Sequence, residues 1–552
     1  MQFQIRGTPI GPMSLIVAVL ASMGGFLFGY DTGQISGIQE MDDFVRRFAT
    51  EFDPNNSTPA RDFKVFNDWL IGLIVSLLSV GTAVGCLIGA PLSDRIGRRW
   101  AMFWETIIFD IGVIIQVTSF QAWYQVAIGR FITGIGVGAL SAAVPLYQSE
   151  TVPRQIRGAL VATYQLFITL GILVAYCINI GTRSLDNSGS WRIPVALGIA
   201  FSTILGVGIL FCPESPRWLM ANDRADEAYR AVAIVRGTKP SDSNPWVEAE
   251  YAEIVSNVEA DRKVKAGSWR DCFRPQHKVL YRTLLGITLQ AGQQLTGANY
   301  FFYYGTSIFT SVGLSDPYVT QIILGAVNFG CTFLGLYVLE RFGRRLPLIF
   351  GAAWMVVWLL VFGLAGTVGD STEKSFGTLM IVAACLFIVG YASTWAPGIW
   401  LFCGESFPRL TRAKQAAIAT LSNWVWNFLI AFFTTPITDS IQFKYGFVFA
   451  SANFLNFFVA YFFVYETADL TLEAIDEMYN DPACKPWTSR SWVPAGFTSR
   501  KDMVQNKDVD VDSDVVKVPD SKAGQWRSKP DPITGEETDT TRKAPETKVE
   551  GA

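Results

Sequence analysis

The sequence predicts an all-α membrane protein: twelve transmembrane helices in two six-helix halves, with a helical loop between the halves. Three observations carry that prediction. Half of the 552 residues are apolar, mean hydropathy is +0.28 and only 17% of residues are charged, against the roughly 25% usual in soluble domains. Apolar runs of about twenty residues, the length that crosses a bilayer, recur along the chain between short charged turns. Charged motifs also repeat at corresponding turns of the two halves.

The runs fall near 13–35, 69–91, 101–120, 123–147, 159–181 and 191–212, and then near 284–312, 318–340, 346–369, 377–404, 414–438 and 445–465. The segment before the first run has one arginine and no small-residue cleavage site, so that run reads as a retained helix and not a removed signal peptide. The chain thus divides into an N-terminal half (1–212), a linker (213–283), a C-terminal half (284–470) and a tail (471–552). Within the linker, Asp226–Arg236 and Glu248–Arg262 space acid and base as short amphipathic helices do. The tail is rich in Asp, Lys, Pro, Ser and Thr and poor in aromatics, a composition that predicts a largely disordered segment.

Basic residues set the expected orientation, because short loops rich in Arg and Lys stay on the cytoplasmic side. Loops after even-numbered runs carry Arg95, Arg98 and Arg99; Arg154 and Arg157; Arg341, Arg344 and Arg345; and Arg409, Arg412 and Lys414. Loops after odd-numbered runs carry few or none, apart from the first, where acids outnumber bases. Both termini and the linker are therefore expected in the cytoplasm. Asn55 and Asn56, which each begin an Asn-x-Ser/Thr sequon in the first loop, are glycosylation candidates on the outside.

The repeat is specific. Residues 89–99 read GAPLSDRIGRR after the second run, and 335–345 read GLYVLERFGRR after the eighth; ETVPR at 150–154 is echoed by ESFPR at 405–409. Two repeats in the same order at corresponding runs point to a duplicated six-helix unit, as in transporters built from two halves around a midplane site. One arginine knot alone would be only a positive-inside anchor. An acid with several arginines at both ends of both halves suggests an ion-pair network that locks the halves together on the inside. Its candidates are Asp94, Arg95, Arg98, Glu150 and Arg154, with Glu340, Arg341, Arg344, Glu405 and Arg409.

These knots resemble those of the major facilitator superfamily. PESPRWL at 213–219 and QQLTGAN at 293–299 resemble its sugar porter family, and FGYDTG at 28–33 and FFTTP at 432–436 look most like fungal monosaccharide transporters. The resemblance spans about 13–473. It departs at 465–469, YETAD, where the family usually has Pro-Glu-Thr-Lys-Gly: the glutamate is kept and the lysine is absent. The resemblance implies an alternating-access transporter of the plasma membrane that moves a hexose, with D-glucose first and xylose among the alternatives.

An uncharged sugar needs amides, which both donate and accept, and aromatic walls. Polar side chains within spans tend to face the bundle interior or a cavity. The resemblance assigns Gln165, Gln293, Gln294, Asn299, Asn328 and Asn427 to the sugar pocket, Trp400 to its floor, and Tyr303 and Tyr304 to an outer gate. The plainer alternative for any one amide is an interhelical hydrogen bond. Asn423 shares a helix face with Asn427, and Gly297 permits a break in the seventh run. Asp31 and Arg130 are the sharpest charges within runs. In proton-coupled relatives a matching pair couples protons to sugar, so both are proton-coupling candidates. The fungal facilitators carry this aspartate too, so Asp31 leaves uniport and symport open. Glu105 and Asp110 receive no role.

Other classes fit poorly. A net charge of -3 without a basic stripe argues against nucleic acid. No Gly-Lys dipeptide exists, so there is no P-loop for an ATP-driven pump. One histidine and scattered cysteines offer no metal or enzyme site, and no cofactor is implied. The partners expected are the monosaccharide, the lipid bilayer and, as a candidate, protons, with a monomer sufficient. The second reading is a transporter-like sugar sensor signalling through the tail.

Overall fold

The computed structural model describes residues 3–5, 8–53, 61–153, 156–239, 244–263, 267–312, 316–368, 374–408, 410–494 and 500. In hydrocarbon, backbone N–H and C=O groups must be paired within a helix or a closed barrel, and the apolar runs take the helical solution. The N-terminal half consists of Pro12–Ile38, Asp68–Ile96, Arg98–Val117, Trp123–Thr151, Arg157–Thr182 and Gly189–Leu210. In the C-terminal half the seventh span is broken into Val279–Gln294 and Ala298–Val312, followed by Pro317–Phe342 and Arg345–Val368. The tenth runs from Lys374–Gly390 through a π-helical turn, Tyr391–Trp395, into Ala396–Ser406. Arg412–Ile441 and Tyr445–Phe463 complete the bundle.

Among the described residues, ten continuous stretches are long and apolar enough to cross a membrane, and one of them, Arg412–Phe463, holds two helices reversed at Gln442–Lys444. The seventh span is absent from the ten because its pieces have only 16 and 15 residues. Counting the divided stretch twice and the broken span once gives the twelve passes that the sequence predicts.

Each half has its own apolar core. Phe109, Val137, Leu140 and Trp191 centre the first, and Phe301, Phe362, Phe387 and Trp395 the second. Without a hydrophobic force between helices in lipid, small residues at the contact allow close van der Waals packing. The second and fourth spans show this: a Cβ on Gly81 would lie 2.0 Å from the Phe131 carbonyl oxygen, and one on Gly138 would lie 2.1 Å from that of Thr82.

The linker folds as expected into short helices, Pro216–Ala221, Ala225–Arg236 and Pro245–Lys263. It docks on the N-terminal half, where Ser14 Oγ donates to the Val235 carbonyl at 2.9 Å. The start of the tail is also built into the protein. Helix Leu472–Asn480 buries Ile475, Met478 and Tyr479 against Tyr465 and Cys484. Residues 501–552, on which most of the disorder expectation falls, lie outside the described residues.

Candidate functional site

The seventh span breaks where Gly297 adopts φ +92°. A side chain there would be strained in that conformation, and a Cβ would lie 2.6 Å from the Phe449 ring. The break turns the glutamines and Asn299 toward the eleventh span, and an amide chain results. Asn423 Nδ2 donates to Gln290 Oε1 at 2.7 Å and to Gln293 Oε1 at 2.9 Å, while Gln294 Nε2 donates to Asn423 Oδ1 at 2.8 Å. Gln294 Oε1 in turn accepts from Asn299 Nδ2 at 2.5 Å and Asn427 Nδ2 at 3.3 Å. The chain then crosses to the other half: Asn427 Oδ1 accepts from Ser79 Oγ at 2.5 Å and from Tyr303 OH at 3.1 Å.

Members of the chain differ in role. Gln293 Nε2 donates to the carbonyls of Trp395 and Ala396, each at 3.0 Å. These sit where the π-helical turn rejoins α-helix, so Gln293 ties the broken seventh span to the irregular tenth. Asn328 is buried in the eighth span with Oδ1 unpartnered. Gln165 is half-buried and Trp400 is 41% exposed; neither bonds to the amide chain. Gln290 and Ser79 belong to the arrangement although sequence reasoning did not select them. Gln290 had a signal, its i, i+3, i+4 spacing with Gln293 and Gln294; Ser79 had none.

Around the chain the two halves are fastened on the face opposite the arginine knots. Ser36 Oγ and Thr306 Oγ1 are 3.1 Å apart, Gln39 Nε2 donates to the Tyr303 carbonyl at 3.0 Å, and Ser307 Oγ donates to Glu40 at 2.6 Å. Arg183 and Asp316 form a bidentate ion pair across the halves. That bond holds the Asp316 carboxyl below its usual range against the pull of partial burial. Tyr303 and Tyr304 are both buried here, with Tyr304 OH donating to the Ala431 carbonyl at 2.5 Å.

Asp31 and Arg130 meet inside the N-terminal half at 3.7 Å, both essentially fully buried. Asp31 Oδ1 accepts from Gln34 Nε2 at 2.7 Å, but Asp31 Oδ2 and the Nε and Nη2 atoms of Arg130 have no hydrogen-bond partner. Glu105 is buried in the third span with both carboxyl oxygens unpartnered.

In this structure the knots pair within their own halves. Arg98 pairs with Glu150 at 2.8 Å and Asp94 at 3.1 Å, and Arg344 pairs with Glu405 at 2.7 Å. Each pair closes inside its own half and does not lock one half to the other. Gly97 and Gly343 have positive φ at these turns, and the glutamates that pair with Arg98 and Arg344 stand at the ends of the fourth and tenth spans, each in the arginine's own half. Glu214 Oε1 accepts from the backbone N–H of Arg98 at 2.9 Å, and Glu466 Oε1 from that of Arg344 at 2.8 Å, capping the third and ninth helices alike. Burial raises the Glu214 carboxyl above its usual range, with the N–H bonds of Ser215, Arg99 and Arg98 opposing. Ala468, in place of the family lysine, is buried, and its carbonyl accepts from Arg500 at 2.8 Å. Arg95 and Glu340 are exposed, and Arg341 donates to Tyr337 OH at 2.5 Å. Arg154, Arg409, Asn55 and Asn56 lie outside the described residues.

A bundle of two repeated halves, with an amide chain at a broken helix between them, defines a transporter of the major facilitator type. The family model for sugar (and other) transporters matches residues 17–479, and the chain belongs to that family. Hexose transporter 2 of Kluyveromyces lactis is 44% identical over 489 residues, 87% of this chain and 85% of that protein. The high-affinity glucose transporter ght2 of Schizosaccharomyces pombe is 43% identical over 482 residues, 86% of this chain and 89% of that protein. Among solved structures, the inward-open xylose transporter XylE from E. coli aligns with TM-score 0.68 at 25% identity, covering 84% of this chain and 99% of that one. The proton:xylose symporter XylE bound to 6-bromo-6-deoxy-D-glucose aligns with TM-score 0.67 at 26% identity, with the same coverage.

Proposed function

We propose that the chain imports a monosaccharide, D-glucose first and related hexoses or xylose beside it, by alternating access around the amide chain. The carrying observation is that chain itself: neutral donors and acceptors bridge the eleventh span, the broken seventh and, through Ser79, the other half. No charged group takes part in it, which suits a neutral polyol. The relatives that are named as hexose and glucose transporters support the same substrate class, and no observation favours a sensor.

With the arginine knots on the cytoplasmic side, the inter-half bonds named above lie at or outside the middle of the membrane. The molecule is then closed to the outside, the inward-facing half of the cycle, in the plasma membrane with both termini inside. Gln294, Asn299 and Asn427 would meet the sugar, with Asn328 facing them and Gln293 holding the break.

Protons are the proposed second cargo, carried by Asp31. Its buried oxygen without a donor, beside an arginine that is itself incompletely bonded, is an arrangement that gaining a proton would change. An intramembrane carboxylate is a functional candidate on these grounds. The test is uptake of labelled D-glucose by cells that lack their own hexose transporters, with and without a protonophore, while the pH of the medium is followed. Accumulation that collapses with protonophore and alkalinises the medium supports symport. Uptake that stops at equilibrium and moves no protons makes the chain a facilitator, and uptake of an amino acid with none of glucose overturns the sugar reading.

A further inference from the structure

Between the linker helices and the seventh span the chain passes through a short 3-10 helix, Trp269–Phe273. Trp269 and Phe273, at its two ends, are 53% and 50% exposed. Leu410, in the turn before the eleventh span, is 56% exposed, and its carbonyl accepts from the Gly267 N–H at 3.1 Å, which brings the two segments together. Large apolar side chains left open in one place mark an interaction surface.

The segment is held in place. Ser268 and Asp271 cap the helix reciprocally, and the carbonyl of buried Cys272 accepts from Thr283 Oγ1 at 2.6 Å. Thr283 Oγ1 in turn accepts from Gln415 Nε2 of the eleventh span at 2.6 Å. The helix is thus docked on the first turns of two spans. Leu284, the residue after Thr283, is 51% exposed on a span whose open leucines face lipid, so the two aromatic rings stand beside the bilayer. Cations surround them. From Gly267 to Lys278 the chain has three Lys or Arg residues and one acid, Asp271. Arg270 is exposed, Arg274 is mostly exposed and pairs with Asp271 at 3.0 Å, and Lys414 Nζ lies 5.8 Å from the centre of the Trp269 ring.

We propose that Trp269, Phe273 and Leu410 enter the inner leaflet of the bilayer and that Arg270, Arg274 and Lys414 bind its anionic phospholipid headgroups. Aromatic side chains settle at the headgroup level, where one end is apolar and the other wet. Basic residues beside an apolar face add attraction to anionic lipid. A soluble partner would have to displace lipid from the Leu284 side to reach the same rings. The anchor ties the base of Val279–Gln294, the piece that carries Gln290, Gln293 and Gln294, to the leaflet. Naming the inner leaflet rests on the cytoplasmic placement of the arginine knots given above.

The experiment uses the purified full-length chain in phosphatidylcholine vesicles, with a cysteine at the exposed Gln276 carrying a fluorophore in a background free of native cysteines. A growing share of the lipid is brominated, on either phosphatidylserine or phosphatidylcholine. Both should quench the label, and half-quench should need roughly fivefold less of the phosphatidylserine, the preference that one base near an anionic surface supplies. Arg270→Gln combined with Arg274→Gln should remove most of that preference, and Lys414→Gln serves if the double variant fails to reconstitute. Trp269→Ser combined with Phe273→Ser should weaken quenching by both lipids. A label that neither lipid quenches, equal quenching by the two, or a preference that the charge variants leave unchanged overturns the anchor. Both leaflets carry the same lipid, so these outcomes do not depend on which end of the protein faces the cytoplasm. Exchange of labelled D-glucose by the same vesicles reports on the sugar reading separately.

Discussion

Asn427 and Gln293 are both buried amides of the same chain, yet their bonds set different expectations. Asn427 holds two hydroxyls and one amide, all exchangeable for sugar hydroxyls. Asn427→Ala should therefore weaken sugar affinity by about 1–3 kcal/mol, read as a raised half-saturation at unchanged surface expression. Gln293 instead holds two backbone carbonyls of the tenth span. Gln293→Leu should lower thermal stability of the purified protein by about 1–3 kcal/mol, whatever sugar is present. Asp31→Asn is the third case at this scale: it should abolish accumulation against a gradient and leave sugar exchange partly intact. If Asp31 is only the fixed partner of Arg130, its loss leaves a buried charge uncompensated. Exchange, accumulation and folding would then fail together, at about 3–5 kcal/mol. The amide types were legible in the sequence because polar residues within apolar runs stand out. Their division of labour was not, since it depends on a π-helical turn whose carbonyls, bonded by Gln293, leave no mark in side-chain pattern. Glu105 remains in the same position: conspicuous in sequence, buried and unpartnered in the fold, and without a role in this mechanism.

At the scale of elements, the inter-half clasp and the helix caps carry the predictions. Arg183 and Asp316 fasten the ends of the fifth and eighth spans, and both side chains are about one-third exposed. A pair this open is worth about 0.2–1 kcal/mol. Asp316→Asn should therefore shift the balance toward the outward-open form by up to roughly fivefold. The readout is the rate at which an external reagent alkylates a cysteine placed at Ser79, in a background free of native cysteines. The pH sign follows from the lowered Asp316 carboxyl: the clasp is intact above the ordinary value of about 3.9 and is lost as pH falls through the lower folded value. Glu214→Gln or Glu466→Gln should each destabilise its own half by about 1–3 kcal/mol, because a charged acceptor capping a helix is replaced by a neutral one. A melting temperature unchanged by either substitution would contradict the capping account. The break at Gly297 was legible because glycine beside paired glutamines is a poor choice for a continuous helix. The partners of the arginine knots were not, since acid and base at matching turns suit pairing within a half as well as between halves. In this structure the placement of Glu150 and Glu405 at the ends of the fourth and tenth spans, beside Arg98 and Arg344, decides it.

For the whole molecule, twelve passes and the twofold repeat followed from hydropathy and from motifs that recur in order. The face that is closed did not, because a sequence holds every state of a cycle at once. The central claim is that one amide chain between two rocking halves carries sugar, and one measurement reaches it most directly. It is the saturable uptake of labelled D-glucose by cells lacking other hexose transporters, compared between the wild-type chain and Asn427→Ala at equal surface expression. The account predicts uptake by the wild type and a half-saturation raised by roughly five- to 150-fold in the variant, the equivalent of about 1–3 kcal/mol. Identical half-saturation in the two, or no D-glucose uptake by the wild type, would contradict it.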